Sequence, residues 1–332
     1  MSVLLYYVIF VIFLKFCLFK ESNSQFCYTD PTCGPATWPG VCTTGGMQSP
    51  INFDGMDTTV AFLPSNFRHV WENLPIAKNF LILNAGHTVE VLFPPGQEPK
   101  LKGSAIGLPG EYTFAQLHFH WGTSDTGGSE HTLFGKQYAL EMHMVHYATP
   151  YGSYAAASVA PNDPNAVAIL AIFFEISPVN NVALIPITKA IPLVRRFNRS
   201  QEIDVTGFLN LKNLLPAHLN FYRYEGSLTS PDCHENRVWT VFKQPVKISK
   251  QQMKQFRTVF DDRGEIIVEN HRPLQARNGR PITFYFVTES LFDKILKFFT
   301  AYLSAWKEIL LFPFQFLGNP TLFTLSFGRK LE

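Results

Sequence analysis

From Ile51 to Phe286 the chain is a succession of short apolar or alternating runs cut by Gly, Pro, Asn and Asp. "NFLILNAGHTVEVLF", "FAQLHFHWG", "YALEMHMVHYA" and "AVAILAIFFEI" are examples. Alternation places every second side chain on the same face, and runs of this length bounded by turn residues read as β-strands. Helical patterns are few. The best is "ISKQQMKQFRTVF", with Ser249 as its cap. No internal repeat is visible. The body therefore reads as one mostly β domain with short peripheral helices. The 332 residues are 46% hydrophobic and 16% charged, enough for a sizeable core and against global disorder. A net charge of +2 gives no ground for a nucleic-acid partner.

Two of these runs carry more than one histidine. In "QLHFHWG" a strand puts Gln116, His118 and His120 on one face and Phe119 on the other. In "LEMHMVH" Glu141, His143 and Val145 share one face, and Met142, Met144 and His146 the other. The turn-rich stretch between them permits antiparallel pairing. In register, His143 comes across from His118 and His120, and three imidazoles converge with a fourth position open. That is the ligand set of a catalytic zinc site. Gln116 and Glu141 each lie two residues before a histidine on the same face, where an oxygen can accept the second ring N–H. The alternatives are a polar pair on a wet surface and a Glu141 that points into water.

The chain ends differ from the body. Val3 to Leu14 is almost unbroken apolar sequence, and Ser22-Asn23-Ser24 offers small residues for cleavage. Residues 1–24 thus read as a secretory signal peptide, although no Lys or Arg precedes the apolar run; an uncleaved anchor is the alternative. Cys17 leaves with the signal, so Cys27, Cys33, Cys42 and Cys233 remain. Four cysteines allow three connectivities. A local Cys27–Cys33 bridge is one element of such a set, and Cys42 would then join the distant Cys233. Four free thiols would be unusual outside the cytosol. Asn198-Arg199-Ser200 is a glycosylation sequon.

"QLHFHWG", "GSEHTLFGKQYALEMHMVHY" and "YEGSLTSPDC", with "GGMQSPINF", "ILNAGHTVEVLF" and "ENHRP", together resemble the α-class carbonic anhydrases. The similarity runs from about Phe26 to Phe286 with every block in order. It implies a single domain, 25–286, around a large twisted, mainly antiparallel β-sheet. It implies reversible hydration of carbon dioxide to bicarbonate by a zinc-bound hydroxide, with Zn2+ as the cofactor. By position, His118, His120 and His143 match the zinc ligands. Gln116, Glu141 and the carbonyl of Asn270 match the acceptors behind them. Thr229 matches the residue that takes the hydroxide's hydrogen bond, and Glu130 the one that orients Thr229. His87 matches the proton shuttle, and Tyr28 a member of its water network. Val145, Val167, Ile169, Leu228 and Trp239 match the apolar substrate wall; Thr229 and Ser230 border it, Ser230 where many members have threonine.

Arg237 departs from the pattern, since it stands where the wall usually has a small apolar residue. It either points away or narrows and polarises the pocket, and Asp232 and His234 make the nearby loop more polar than usual. The tail, 287–332, lies outside the resemblance. Leu291, Ile295, Phe298, Tyr302 and Trp306 fall on one helical stripe with Lys294 and Lys297 opposite, as in an interfacial helix associated with a membrane. A removed lipid-anchor signal and a helix packed on the domain are the alternatives. The chain is thus expected to be secreted or on the extracellular face of a membrane. The competing reading is a slow or non-catalytic extracellular binding or structural member of the same fold.

Overall fold

A strand that must bury one face and line a site with the other needs its side chains in strict register, and one extra residue exchanges the faces. That device sits just before the histidines. The structure is a computed structural model; it describes residues 26–64, 71–72, 79–160, 163–204 and 209–288. Contacts divide the chain into two compact units, Met1–Val287 and Thr288–Glu332. The expected signal peptide and the tail beyond Thr288 lie outside the described residues.

In chain order the strands are β1 (Asn52–Phe53), β2 (Thr58–Pro64), β3 (Trp71–Glu72), β4 (Asn79–Asn84) and β5 (Val89–Leu92). Then come β6 (Lys100–Lys102), β7 (Glu111–Trp121), β8 (Thr132–Leu133), β9 (Leu140–Ala148) and β10 (Val167–Ser177). The last are β11 (Ser200–Asp204), β12 (Phe221–Gly226), β13 (Arg237–Phe242), β14 (Val246–Ser249) and β15 (Ile282–Thr288). Thirteen of them form one sheet, ordered β11-β4-β5-β7-β9-β10-β13-β12-β15-β2, with β14, β3 and β6 alongside that path. Most pairs are antiparallel, as expected; β10 runs parallel to β13 and β14. The expected helix is present at Lys250–Phe256. Its first turn is closed by a capping box in which Ser249 and Gln252 satisfy each other's backbone N–H.

The register of β7 on β9 shifts between Phe114 and Gln116, leaving a bulge at Ala115. Before it, Tyr112 and Phe114 face the larger core; after it, Leu117, Phe119 and Trp121 do, with Met142 and Met144 of β9. Even-numbered residues beyond the bulge therefore face the other way. Without the extra residue, His118 and His120 would share the face of Phe114 and enter the larger core. On the opposite face a second cluster forms around Val145, Val167, Ile169, Tyr224 and Trp239. The site lies on this face.

Both cysteine pairs are closed. Cys27 bridges Cys33, and Cys42 bridges Cys233 across 191 residues of sequence. Cys42, Cys233 and Trp38 make a small core of their own, against which Phe26 and Tyr28 pack. Among the described residues no helix is long and apolar enough to cross a membrane.

Candidate metal centre

Antiparallel pairing sets His118 of β7 directly opposite His143 of β9, and His120 opposite Glu141. The ligand atoms of His118, His120 and His143 all lie within 4.8 Å of one another. Each ring is fixed by its second nitrogen. His118 Nδ1 donates to Gln116 Oε1 (2.9 Å), His120 Nδ1 to the carbonyl of Asn270 (2.7 Å), and His143 Nε2 to Glu141 Oε1 (2.7 Å). A nitrogen that donates to an acceptor-only oxygen carries the ring's proton. The other nitrogens are then acceptors: Nε2 of His118 and His120, and Nδ1 of His143.

Those acceptors lack donors. Among the described residues the buried His120 Nε2 has no hydrogen-bond partner, and His118 Nε2 faces His143 Nδ1 at 3.3 Å. Two lone pairs aimed at each other repel unless something positive lies between them. Protonation is an unfavourable remedy, because burial and the neighbouring histidines hold His118 and His120 well below the ordinary histidine range. Burial also lowers His143, against the opposing pull of Glu141. Neutral nitrogen donors converging on one point fit Zn2+.

The outer partners are themselves anchored. Glu141 is fully buried, and its Oε1 also takes the Nδ1 proton of His131 at 2.6 Å, while its Oε2 accepts the backbone N–H of His131 at 2.8 Å. Burial alone would raise this carboxyl; the charge of His131 and the hydrogen bonds from His131 and His143 outweigh it and lower it. His131 Nε2 meets the Tyr224 hydroxyl at 2.7 Å, and that hydroxyl meets Ser49 Oγ at 2.8 Å. His131, Glu141 and His143 also form a compact group. It is a hydrogen-bonded relay, since both ring nitrogens of His131 are in use. Sequence reading passed over His131; its position next to Glu130, within the same block as Glu141, was the available signal. Asn270 does more than offer a carbonyl. Its Oδ1 accepts Trp121 N (2.7 Å), and its amide donates to the carbonyls of His87 and Phe119 (both 2.9 Å), tying the loop after β4 to the end of β7.

The expected reaction residues lie around this point. Glu130 Oε1 accepts the backbone N–H of Arg272 (2.9 Å), and among the described residues its buried Oε2 has no hydrogen-bond partner. Burial and the Glu141 charge raise Glu130 well above the carboxylate range; the Arg272 N–H and the Thr229 hydroxyl oppose the rise. Tyr28 is half-buried, with a buried hydroxyl that has no hydrogen-bond partner among the described residues; burial and the Glu130 charge raise it. His87 follows Gly86, whose φ of +88° suits glycine; a Cβ there would come within 3.0 Å of the Phe197 ring. The His87 ring packs on Phe26, centroids 5.0 Å apart, and burial lowers it to about 4.

Val145, Val167, Ile169 and Trp239 join in one buried cluster, with Trp239 edge-on to His143 at 4.8 Å. Leu228 and Ser230, on the loop after β12, are half-buried. Arg237 lies on the Trp239 face of β13, in register with Val167, and is fully buried. Its guanidinium is tied back to Asn236 and to the carbonyl of Ser158 at 3.2 Å, so it is drawn under the short helix Tyr154–Ser158. His234 and Asp232 approach each other at 3.8 Å on the exposed loop.

A family model of eukaryotic-type carbonic anhydrases matches residues 33–286. Mouse carbonic anhydrase 15 is 34% identical over 279 residues, covering 79% of this chain and 84% of the relative. Mouse carbonic anhydrase 4 is 32% identical over 278 residues, covering 79% and 85%.

Proposed function

We propose a mechanism for a chain that belongs to the eukaryotic-type carbonic anhydrase family, and whose reaction is therefore the hydration of carbon dioxide. His118, His120 and His143 would hold Zn2+ through the three nitrogens left as acceptors. When bound, zinc supplies a Lewis acid that makes water nucleophilic at neutral pH. The remaining work belongs to the protein. Glu130, anchored by Arg272, accepts the Thr229 hydroxyl proton, which leaves the Thr229 oxygen to accept only from the attacking water and so orients it. Val145, Val167, Ile169, Leu228 and Trp239 give carbon dioxide a wall without a competing hydrogen-bonding group. Ser230 borders that wall with a hydroxyl, and Tyr28 stands in the water path toward His87. His87 takes the released proton outward. Its low value under Phe26 requires the ring to leave that packing, or to gain solvent, before it holds a proton.

The observation that carries this reading is the set of neutral imidazoles whose free nitrogens face one another. Two disulfides support a location outside the cytosol, secreted or on a cell surface. The test is zinc content measured alongside carbon dioxide hydration on the purified protein. One zinc per chain is expected, with hydration lost on chelation and regained with zinc. Full activity in protein without stoichiometric metal overturns it.

A further inference from the structure

Three carboxylates belong to the neighbourhood of the histidine triad, and they differ in what holds them. Glu141 is saturated by His131 and His143. Glu130 is held by the Arg272 N–H. The third, Glu90, sits on β5 directly opposite His118 of β7. Val89 and Val91 on either side of it are fully buried in the larger core. Alternation therefore puts Glu90 on the face of His118, and it is half-buried there rather than sealed.

No hydrogen bond or ion pair holds the Glu90 carboxylate among the described residues. Burial alone raises it, to about 7, with no cation pulling it down. Burial raises the hydroxyl of Tyr154 against the pull of Arg237, and the Glu90 charge adds to the rise. An acidic side chain on a strand otherwise made of Val and Leu costs stability unless it is paired. A cation at the triad favours its ionised form.

We propose that Glu90 is a specificity-determining residue: its carboxylate disfavours anions at the metal centre, so that uncharged carbon dioxide is admitted and bicarbonate is expelled. This rests on the metal-centre reading above. The physical basis is Coulombic. Even in bulk water two like charges about 4 Å apart repel by about 1 kcal/mol, close to a fivefold change in affinity. The repulsion grows with ligand charge, whereas a changed shape or a lost hydrogen bond does not.

The test is Glu90→Gln, which keeps size and removes charge, with Glu90→Asp as the charge-retaining control. Nitrate and sulfate binding to the zinc-loaded full chain is followed by the rise in Tm and by inhibition, at pH 8.5 and constant ionic strength. That pH lies far above the ordinary carboxylate range, so the comparison is between a charged and a neutral side chain. Nitrate is expected to bind about fivefold tighter to the Gln variant and sulfate about 25-fold tighter, with the Asp variant near wild type. The KM for bicarbonate should fall in the same variant. Equal gains for nitrate and sulfate, or no gain, overturn the proposal. So does an Asp variant that behaves like the Gln variant. Wild-type protein that binds no zinc would instead overturn the metal-centre reading, and the Tm readout separates the two failures.

Discussion

His143 and His146 stand three residues apart on opposite faces of β9, and both are buried. Burial lowers both below the ordinary histidine range, His146 to about 3. They differ in their nitrogens. His146 Nδ1 donates to the carbonyl of Met144, and its Nε2 accepts from Trp71 Nε1, both at 3.2 Å. Its ring stacks on Trp71 with centroids 6.0 Å apart. The fold satisfies it completely. His143 spends one nitrogen on Glu141 and turns the other toward a second acceptor on His118. A core histidine and a ligand histidine are thus told apart by one unpaired lone pair, and not by burial or by the direction of the pKa shift.

Replacing each by Ala should break the pair in opposite ways. His143→Ala is expected to abolish metal retention and activity, exceeding the about 10–100-fold loss in affinity typical of outer-partner changes. Its Tm should fall little once the metal contribution is removed. His146→Ala should keep zinc and most activity while losing about 2–5 kcal/mol of stability, because it opens a cavity and orphans Trp71 Nε1. Zinc content and denaturant unfolding on the two variants decide. If both lose metal equally, the two faces are not separable.

One step out, Glu141→Gln sharpens the comparison. Gln can accept from His143 or from His131 but cannot take both on a charged oxygen. Metal affinity should fall about 10–100-fold, read by competition with a chelator, with the fold intact.

His87 offers a smaller effect. His87→Ala should slow hydration in weak buffer by about tenfold, and added imidazole should restore much of the rate, because a soluble base can replace the relay. Phe26→Ala should raise the His87 value, measured by NMR titration, by removing the ring that covers it. A slow His87→Ala protein that buffer cannot rescue removes the shuttle role.

The histidine strands were legible because a period of two and a period of 3.6 leave different patterns in sequence, and "QLHFHWG" and "LEMHMVH" each carry several matching positions. The residues behind the ligands were legible only in part. Glu141 and Gln116 follow from same-face spacing, whereas the Asn270 carbonyl came from family resemblance, being a backbone atom 150 residues from its partner. The bulge at Ala115 left no mark in composition, although it decides which face the histidines take. His131 was missed because its role depends on Tyr224 and Ser49, brought to it by other parts of the chain. Arg237 was read as pointing away from the pocket or polarising it. The structure places it on the pocket face with its charge drawn under a helix, an outcome set by Asn236 and the Ser158 carbonyl rather than by strand parity.

At neutral pH the smallest expected effect belongs to His146→Gln, and its cause is read in acid. The folded value of His146, about 3, lies below the unfolded value of roughly 6.5. Between these limits the unfolded chain binds a proton that the native protein refuses. Stability from this group is therefore complete above about pH 6.5 and is lost as pH falls toward 3, at up to about 1.4 kcal/mol per pH unit. His146→Gln keeps an acceptor for Trp71 Nε1 and a donor for the Met144 carbonyl, yet it does not titrate. The variant should be slightly less stable than wild type at pH 7.5, and its stability should fall less steeply between pH 6 and 4. Other buried groups, His87 among them, remain in both proteins, so the difference in slope belongs to His146. Urea unfolding at several pH values measures it. Parallel slopes would mean that His146 gains its proton without opening the core, which the Trp71 hydrogen bond forbids while it is intact.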